Sequence, residues 1–355
     1  MKVVSPLLKH AVFPGLAKLG YLRRRDGPGP AIVTYHGIVP QGYQVIDPDL
    51  DGSLVTATSF VRQIRLLKSR YNLISPEQFL NWVESKEELP PRAVLLTCDD
   101  DLRNTLTEMV PLLQEHGLSC LFFVTGASLG EVSEMQWPEQ LYLMFLATKK
   151  RVVNLDLVRP GSRDRAMTHA EKRVLWWNLV KHLSKFEAKA RKKLIEEVRV
   201  QLALGDDWGV HLLSDPLRSR FLMLNSIELR ALVAAGMAVG AHTLTHPVLS
   251  QLTPEAAWKE IAESRCKLEQ TIDRPVWALA YPFGDFACVT GREQEMAERA
   301  GFSCAFLNIG GGLGAQMPRF GLPRVHVTGA MNLGEFEAHV SGFYLSLRQR
   351  FLRSA

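Results

Sequence analysis

The chain has 355 residues, a net charge of +5, 46% hydrophobic and 22% charged residues, a balance that supports a large buried core and excludes a disordered or low-complexity polymer. Its five cysteines, Cys98, Cys120, Cys266, Cys288 and Cys304, are odd in number, scattered and without a C-x-x-C pair, which excludes a disulfide scaffold and points to free thiols in a reducing compartment. No run approaches the about 20 apolar residues of a spanning helix, and no uninterrupted apolar region follows the first lysine, so neither a span nor a secretory leader is read and a cytoplasmic location is expected.

Residues 1–29 read as an N-terminal helical segment packed on its own domain. Arg23, Arg24 and Arg25 at its end make a weak peripheral contact with an anionic membrane surface the alternative. After the breaker at residues 27–30, Ala31 to Tyr35 is a short strand that delivers His36. Residues 41–58 read as a loop, with Ser59 as the expected cap of a helix carrying Phe60, Ile64 and Leu67 at helical spacing. A second helix follows Ser75-Pro76-Glu77. Val94 to Asp101 then forms an apolar strand that stops on three consecutive carboxylates, Asp99, Asp100 and Asp101. A helix through Met109, Leu112 and Leu113 to Gly117 leads to another strand at Leu118 to Thr125. Strand, helix and strand in succession are the signature of a parallel sheet with crossover helices.

From about 131 to 223 the alternation gives way to helical patterns at Leu141 to Leu146, Val174 to Leu183 and Lys185 to Leu204. This reads as a helical insertion whose Trp137, Trp176 and Trp177 anchor its own core. It also holds the basic excess. From Lys149 to Arg199 there are 15 Lys and Arg against 6 Asp and Glu, a run that is most simply a solvated helical face. The alternation resumes with a helix opened by Asn225-Ser226, for which Ser226 is the expected cap, and a strand from Met237 to Ala241 that delivers His242. Helices over Pro254 to Thr271 and Arg292 to Ala300 alternate with strands at Val276 to Tyr281, Phe302 to Leu307 and Leu322 to Val327, and residues 341–355 read as a helical tail.

Adjacent carboxylates at a strand end repel and resist desolvation, so a bound cation or a shared proton is the expected compensation, with a solvated turn as the plain alternative. His242-Thr243-Leu244-Thr245-His246 places two imidazoles four residues apart. If the chain turns helical there, both project from one face toward one ion. Strand ends of a barrel open on one rim, so the carboxylates and the imidazoles are expected to meet, and His36 joins them as a pocket candidate. Two histidines and one carboxylate leave positions open for water and substrate, which suits metal-assisted hydrolysis. Gly310 to Ala315 fits G-x-G-x-x-A, but Pro318 falls where a phosphate-binding helix would run, so a loop over the barrel mouth is expected. The basic insertion lacks any nucleic-acid motif, and no nucleic-acid partner is expected.

Thr97-Cys98-Asp99-Asp100-Asp101 resembles the T-F-D-D-G motif of the polysaccharide deacetylases, the NodB homology family, and His242 to His246 resembles its H-[ST]-x-x-H motif. Tyr281-Pro282-Phe283-Gly284 is similar to the Y-P-x-G form of a third motif. Tyr35-His36 and Leu322-Pro323-Arg324-Val325 are weaker echoes, and the resemblance covers about residues 30 to 130 and 225 to 330. It implies an α/β fold, a deformed (β/α) barrel over residues 30–340 interrupted by the insertion. It also implies a metal-dependent hydrolase removing N-acetyl groups from an amino sugar or polysaccharide. By position, Asp99 is the implied general base, and Asp100, His242 and His246 the implied ligands of a divalent metal. Zinc is the default, with iron, cobalt or manganese open. The Phe283 N–H is the implied oxyanion donor, and His36, Asp101, Tyr281, Pro282 and Gly284 are expected to line the substrate pocket.

Three departures stand out. Asp101 replaces the motif's glycine and is expected to raise the apparent pKa of the Asp99 pair. Ala280 stands where many members carry an arginine, for which Arg324 is the candidate substitute. His326 is the nearest candidate for the late histidine that protonates the leaving amine. Two rival readings accompany the enzyme: a non-catalytic metal- and carbohydrate-binding relative, and an anionic-polymer or membrane-surface binder acting through the insertion.

Overall fold

The computed structural model describes residues 5–22, 29–48, 50–127, 129–154, 156, 165–166, 168–209, 214–310 and 318–353. Arg23 to Arg25, the first half of the breaker at 27–30 and most of the glycine-rich 310–315 segment lie outside them. Among the described residues the strands are β1 (Ala31–Tyr35), β2 (Asn72–Ile74), β3 (Ala93–Cys98), β4 (Leu121–Val124), a hairpin of β5 (Val152–Val153) and β6 (Arg165–Ala166), then β7 (Ala238–Ala241), β8 (Ala278–Ala280), β9 (Cys304–Phe306) and β10 (Val325–His326). The helices are α1 (Phe13–Lys18), α2 (Ala57–Arg70), α3 (Pro76–Val83), α4 (Val110–Glu115), α5 (Trp137–Ala147), α6 (His169–Leu183), α7 (Ala188–Gln201), α8 (Asp215–Phe221), α9 (Ser226–Ala234), α10 (Pro254–Ile272), α11 (Gly291–Arg299), α12 (Leu333–Val340) and α13 (Phe343–Arg353). None is long and apolar enough to cross a membrane.

Apart from the hairpin, every pairing between these strands is parallel, in the order β10-β1-β3-β4-β7-β8-β9, with β2 beside β3. The two ends of that order meet through one segment. Leu322 bridges Phe306 of β9, and Val325 and His326 pair with Val33 and Thr34 of β1, so the sheet curls into a deformed (β/α) barrel. Strands β1 and β3 are buried along their whole length, as parallel strands covered on both faces must be, and this is why they read as continuous apolar runs. The period of two still sorts their side chains. Ile32, Leu95, Phe123, Ala280 and Phe306 pack in one cluster inside the barrel, while Val33, Leu96, Phe122 and Val124 pack outward under the helices. Toward the carboxyl ends the same rows turn polar, at Thr34 and at Thr97 followed by Asp99.

Two expected caps shift. The α2 cap is Thr56, whose hydroxyl accepts the Ser59 N–H, and the α9 cap is Asn225, in a capping box with Glu228. In both cases the earlier polar residue holds the extended backbone a cap needs, and Ser59 and Ser226 already lie inside the helix. Gly117 (φ +64) closes the helix before β4 as expected.

The insertion has its own core, with Trp137, Leu141, Phe145, Leu179, Ile195 and Val198 buried together. Trp176 and Trp177 touch at a tilt of 46°, and Trp177 is 45% exposed, so only Trp137 and Trp176 act as anchors. A buried charge relay docks the loop after β1 onto this layer. Arg220 binds Asp51 (2.5 Å) and Glu139 (2.7 Å), and the Tyr43 hydroxyl donates to Asp51 (2.9 Å).

Candidate active site and metal centre

The carboxyl ends of β3 and β7 bring Asp100, His242 and His246 into one triangle, whose ligand atoms all lie within 4.8 Å of one another. Asp100 Oδ1 stands 3.5 Å from His242 Nε2 and 3.4 Å from His246 Nε2. Two ligand atoms bound tetrahedrally at about 2.0–2.1 Å from an ion are about 3.4 Å apart, so the spacing fits a shared cation. The donor chemistry fits as well. His242 Nδ1 lies 2.8 Å from the Ala280 carbonyl; a carbonyl only accepts, so Nδ1 carries the proton and Nε2 turns a bare lone pair toward the triangle.

The two imidazoles do not converge by helical spacing. The chain bends instead, with Thr243 (φ +64) and His246 (φ +55) in the left-handed region, a conformation no periodicity reveals. Glu260 of α10 holds this bend, accepting the Leu244 N–H (2.9 Å), the Thr245 N–H (2.8 Å) and the Thr245 hydroxyl (2.5 Å). The insertion holds it from the other side. Arg191 of α7, 3% exposed, donates to the Thr245 carbonyl (2.6 Å) and stacks 4.9 Å over the Trp137 ring, whose indole N–H reaches the His246 carbonyl (3.4 Å). Sequence reasoning missed Glu260 and Arg191. Glu260 had a signal, a carboxylate on the buried stripe of Ala257, Ile261 and Leu268. Arg191 had none, lost among the basic residues around it.

Asp99 points into the barrel beside the triangle. It is 3% exposed, and fully buried Arg324 grips both its oxygens at 2.7 and 2.6 Å. The guanidinium lies over the rings of Phe123 (5.4 Å) and Phe306 (5.9 Å), which pack against each other. Burial pushes the Asp99 carboxyl up, and Arg324 and His242 outweigh it, leaving Asp99 below the usual carboxylate range. The expectation of a raised pair is therefore corrected. Asp101 accepts the Thr125 hydroxyl (3.0 Å), and the charges that govern Asp99 are Arg324 and the neighbouring imidazoles. For Asp100, burial again opposes ionisation and the His242 and His246 contacts prevail, holding it well below the usual range. His242 is lowered by burial and raised more by Asp100; His246 ends below its usual value because burial wins there.

His36 reaches the other oxygen of Asp100, Nε2 to Oδ2 at 3.9 Å, and stacks on His326 with ring centroids 4.5 Å apart. The Asn308 side-chain nitrogen lies 3.2 Å from His326 Nδ1; an amide that donates there leaves the ring proton on Nε2. Burial, reinforced by His36, pushes His326 down to about 3, so it is neutral near pH 7 and Nε2 presents an N–H. Phe283 and Gly284 form a tight turn with φ of +61 and +59. A Cβ at Gly284 would lie 2.5 Å from the Asn308 nitrogen, which demands glycine on both counts. The Phe283 ring rests against His246 at 5.1 Å, and among the described residues no acceptor meets its N–H. Tyr281 is the correction in this turn. Its side chain is 1% exposed in the outer core and its hydroxyl donates to the Phe320 carbonyl (3.1 Å), so it braces the turn and offers the pocket no group.

Residues 176–305 match the family profile described as polysaccharide deacetylase. The match begins inside the helical insertion, so the resemblance extends further into that layer than the motifs indicated. No curated protein matches this sequence. Among solved structures the chain is similar to the Streptococcus pyogenes deacetylase PplD in complex with acetate, at 16% identity and a TM-score of 0.54 over 89% of this chain and 99% of that one. IcaB from Ammonifex degensii has the same identity and TM-score over 89% and 98%. A polysaccharide deacetylase from Bacillus cereus follows at 16% identity and 0.52, over 89% of this chain and 69% of its own. In sequence across residues 176–305 and in fold across most of its length, the chain carries the polysaccharide deacetylase resemblance that its motifs implied.

Proposed function

We propose that the protein is a metal-dependent hydrolase that removes N-acetyl groups from an amino-sugar or polysaccharide substrate. The observation that carries this is the adjacency of two devices on one rim: the Asp100, His242 and His246 triangle, and the Asp99 carboxylate held ionised by Arg324. Asp100, His242 and His246 would hold the divalent ion, with zinc the default for two imidazoles and one carboxylate. When bound, that ion supplies Lewis acidity toward the acyl carbonyl and the attacking water.

The chain's own residues supply the rest. Asp99 accepts the water's proton, and the Arg324 fork keeps it ionised and aimed. The Phe283 N–H donates to the carbonyl oxygen as negative charge develops there. His326, neutral with its proton on Nε2 and held by Asn308 and His36, is a hydrogen-bond donor beside the departing amine and not the acid expected of it, because a neutral imidazole does not give up its last proton; the amine leaves with the proton that Asp99 took from the water. His36, Pro282 and Gly284 form the wall between these groups.

The test is acetate release from N-acetylated saccharides by protein loaded with a divalent metal. Release that disappears in Asp100→Ala supports the reading. Full metal occupancy with no release from any N-acetylated saccharide would overturn it in favour of the non-catalytic relative.

A further inference from the structure

α7 divides its basic residues between two tasks. Arg191 turns inward to the metal-binding bend, whereas Lys189, Lys192 and Lys193 stay exposed, and among the described residues no carboxylate pairs with them. These three lysines line a cleft of about 1020 Å³ between the insertion and the barrel, and the cleft ends on Thr245 and His246, at the metal triangle. Its carboxylates do not cancel them. Glu196 and Asp206 are both taken by Arg199, at 2.5 and 2.9 Å, which leaves Glu134 against the lysines. Trp208, half-buried, contributes apolar floor, the kind of surface on which sugar rings pack. The volume sits at the upper end of the roughly 300–1,000 Å³ of small-molecule sites, which is room for several sugar rings rather than one.

We propose that this cleft binds the acidic part of a charged saccharide. Carboxylate or phosphate groups sit on Lys189, Lys192 and Lys193, while the acylated sugar reaches the triangle through His246. The orientation of the acyl group rests on the deacetylase reading; the acidic subsite rests on the cleft alone. A concave cleft that carries the lysines and reaches His246 admits a chain end or a short strand and does not fit a flat bilayer surface, which makes the lysines a substrate-selecting wall and not a membrane face. Cations lining a cleft focus anionic ligands and make their binding salt-dependent.

The experiment titrates the metal-loaded protein, by tryptophan fluorescence, with three oligosaccharides of equal length: neutral N-acetylated, uronate-bearing and phosphorylated. Both acidic ligands, or one of them, should bind at least about tenfold more tightly than the neutral one, and the preference should shrink between about 50 and 200 mM salt. The two acidic arms separate carboxylate from phosphate. Lys189→Gln/Lys192→Gln/Lys193→Gln should erase the preference, and Lys192→Glu alone should reduce it, with unfolding midpoint and metal content confirming intact folds. Equal affinity for neutral and acidic ligands, or a preference that survives the triple variant, overturns the proposal. So does single-stranded DNA binding as tightly as both acidic saccharides, since the lysines would then be a general anion patch. Acetate release is read separately: an acidic preference without release from any ligand discards the deacetylase reading and leaves the cleft assignment standing.

Discussion

Arg324 and Asp99 stand 225 residues apart in the chain and meet as a two-pronged ion pair inside the barrel, nitrogen to oxygen at 2.7 and 2.6 Å. Ala280 stands where the resembled third motif often carries an arginine, and the guanidinium on Asp99 comes instead from the residue just before the strand that closes the sheet. Arg324→Lys retains the charge and loses the fork, so kcat/KM is expected to fall about 10- to 100-fold with metal content unchanged. Arg324→Ala leaves a buried, unpaired carboxylate and should cost about 3–5 kcal/mol of stability. Steady-state kinetics and denaturant unfolding check both; an Arg324→Lys enzyme at wild-type rate would remove Asp99 from the base role.

Metal analysis of ligand variants tests the triangle. His242→Ala and Asp100→Ala should lose most of the bound metal, because two remaining protein ligands hold an ion poorly. His36→Ala should keep it, since His36 lies outside the triangle at 3.9 Å from the opposite carboxylate oxygen.

The insertion's grip on the His246 bend makes a separate prediction. Arg191→Ala removes the hydrogen bond to the Thr245 carbonyl and the stack on Trp137 together, and metal affinity should weaken about 10- to 100-fold, as for other groups that orient a ligand. Arg191→Lys should rescue little of it, because an ammonium neither stacks nor forks. Competition with a chromogenic chelator measures the change; an unaltered affinity would confine Arg191 to packing.

Glu139 gives a pH dependence from a group that is not one of the three in the triangle. Burial raises its pKa to about 7 in the fold despite Arg220, above an unfolded value of about 4.3. A carboxyl raised on folding contributes stability that is complete below the unfolded pKa and lost as pH rises through the folded one. Between about pH 5 and 7.5 the wild type should therefore lose on the order of 2–3 kcal/mol relative to Glu139→Gln, which has no charge to bury. Urea unfolding of both proteins across that range measures the difference, and parallel profiles would contradict it.

Asp101 occupies a left-handed backbone position (φ +40), which gives a physical reason for the family's glycine there. Asp101→Gly relieves that strain and loses the Thr125 hydrogen bond, so stability should move by no more than about 1 kcal/mol in either direction. With Asp99 governed by Arg324, the acidic limb of kcat/KM should superimpose on that of the wild type. A limb displaced to lower pH would restore the coupling between Asp99 and Asp101 that their adjacency in sequence suggested.

What the sequence made legible is what burial and strand ends dictate. Val94 to Asp101 could be read as a buried strand stopping on carboxylates because parallel strands are apolar throughout and the change to charge is abrupt. His242 and His246 were legible as a pair, but the route to their convergence was not, since the left-handed residues Thr243 and His246 leave no pattern. Tyr281 sits in a motif yet faces the core, because a motif specifies the turn and not which face each side chain takes. Arg191 stayed hidden for a related reason: on an amphipathic helix with many basic residues, only tertiary packing distinguishes the one that turns inward.

Closure of the sheet through Leu322 to His326 has a bearing on the protein's synthesis. The three residues of the triangle are all present once residue 246 has been made, but Arg324 and His326 arrive only with the last described strand, which pairs with the first. A nascent or truncated chain lacking that strand has the residues of the triangle without the guanidinium that grips Asp99. On the proposed function, hydrolysis requires that the amino- and carboxyl-terminal portions have joined, so activity reports that the sheet has closed.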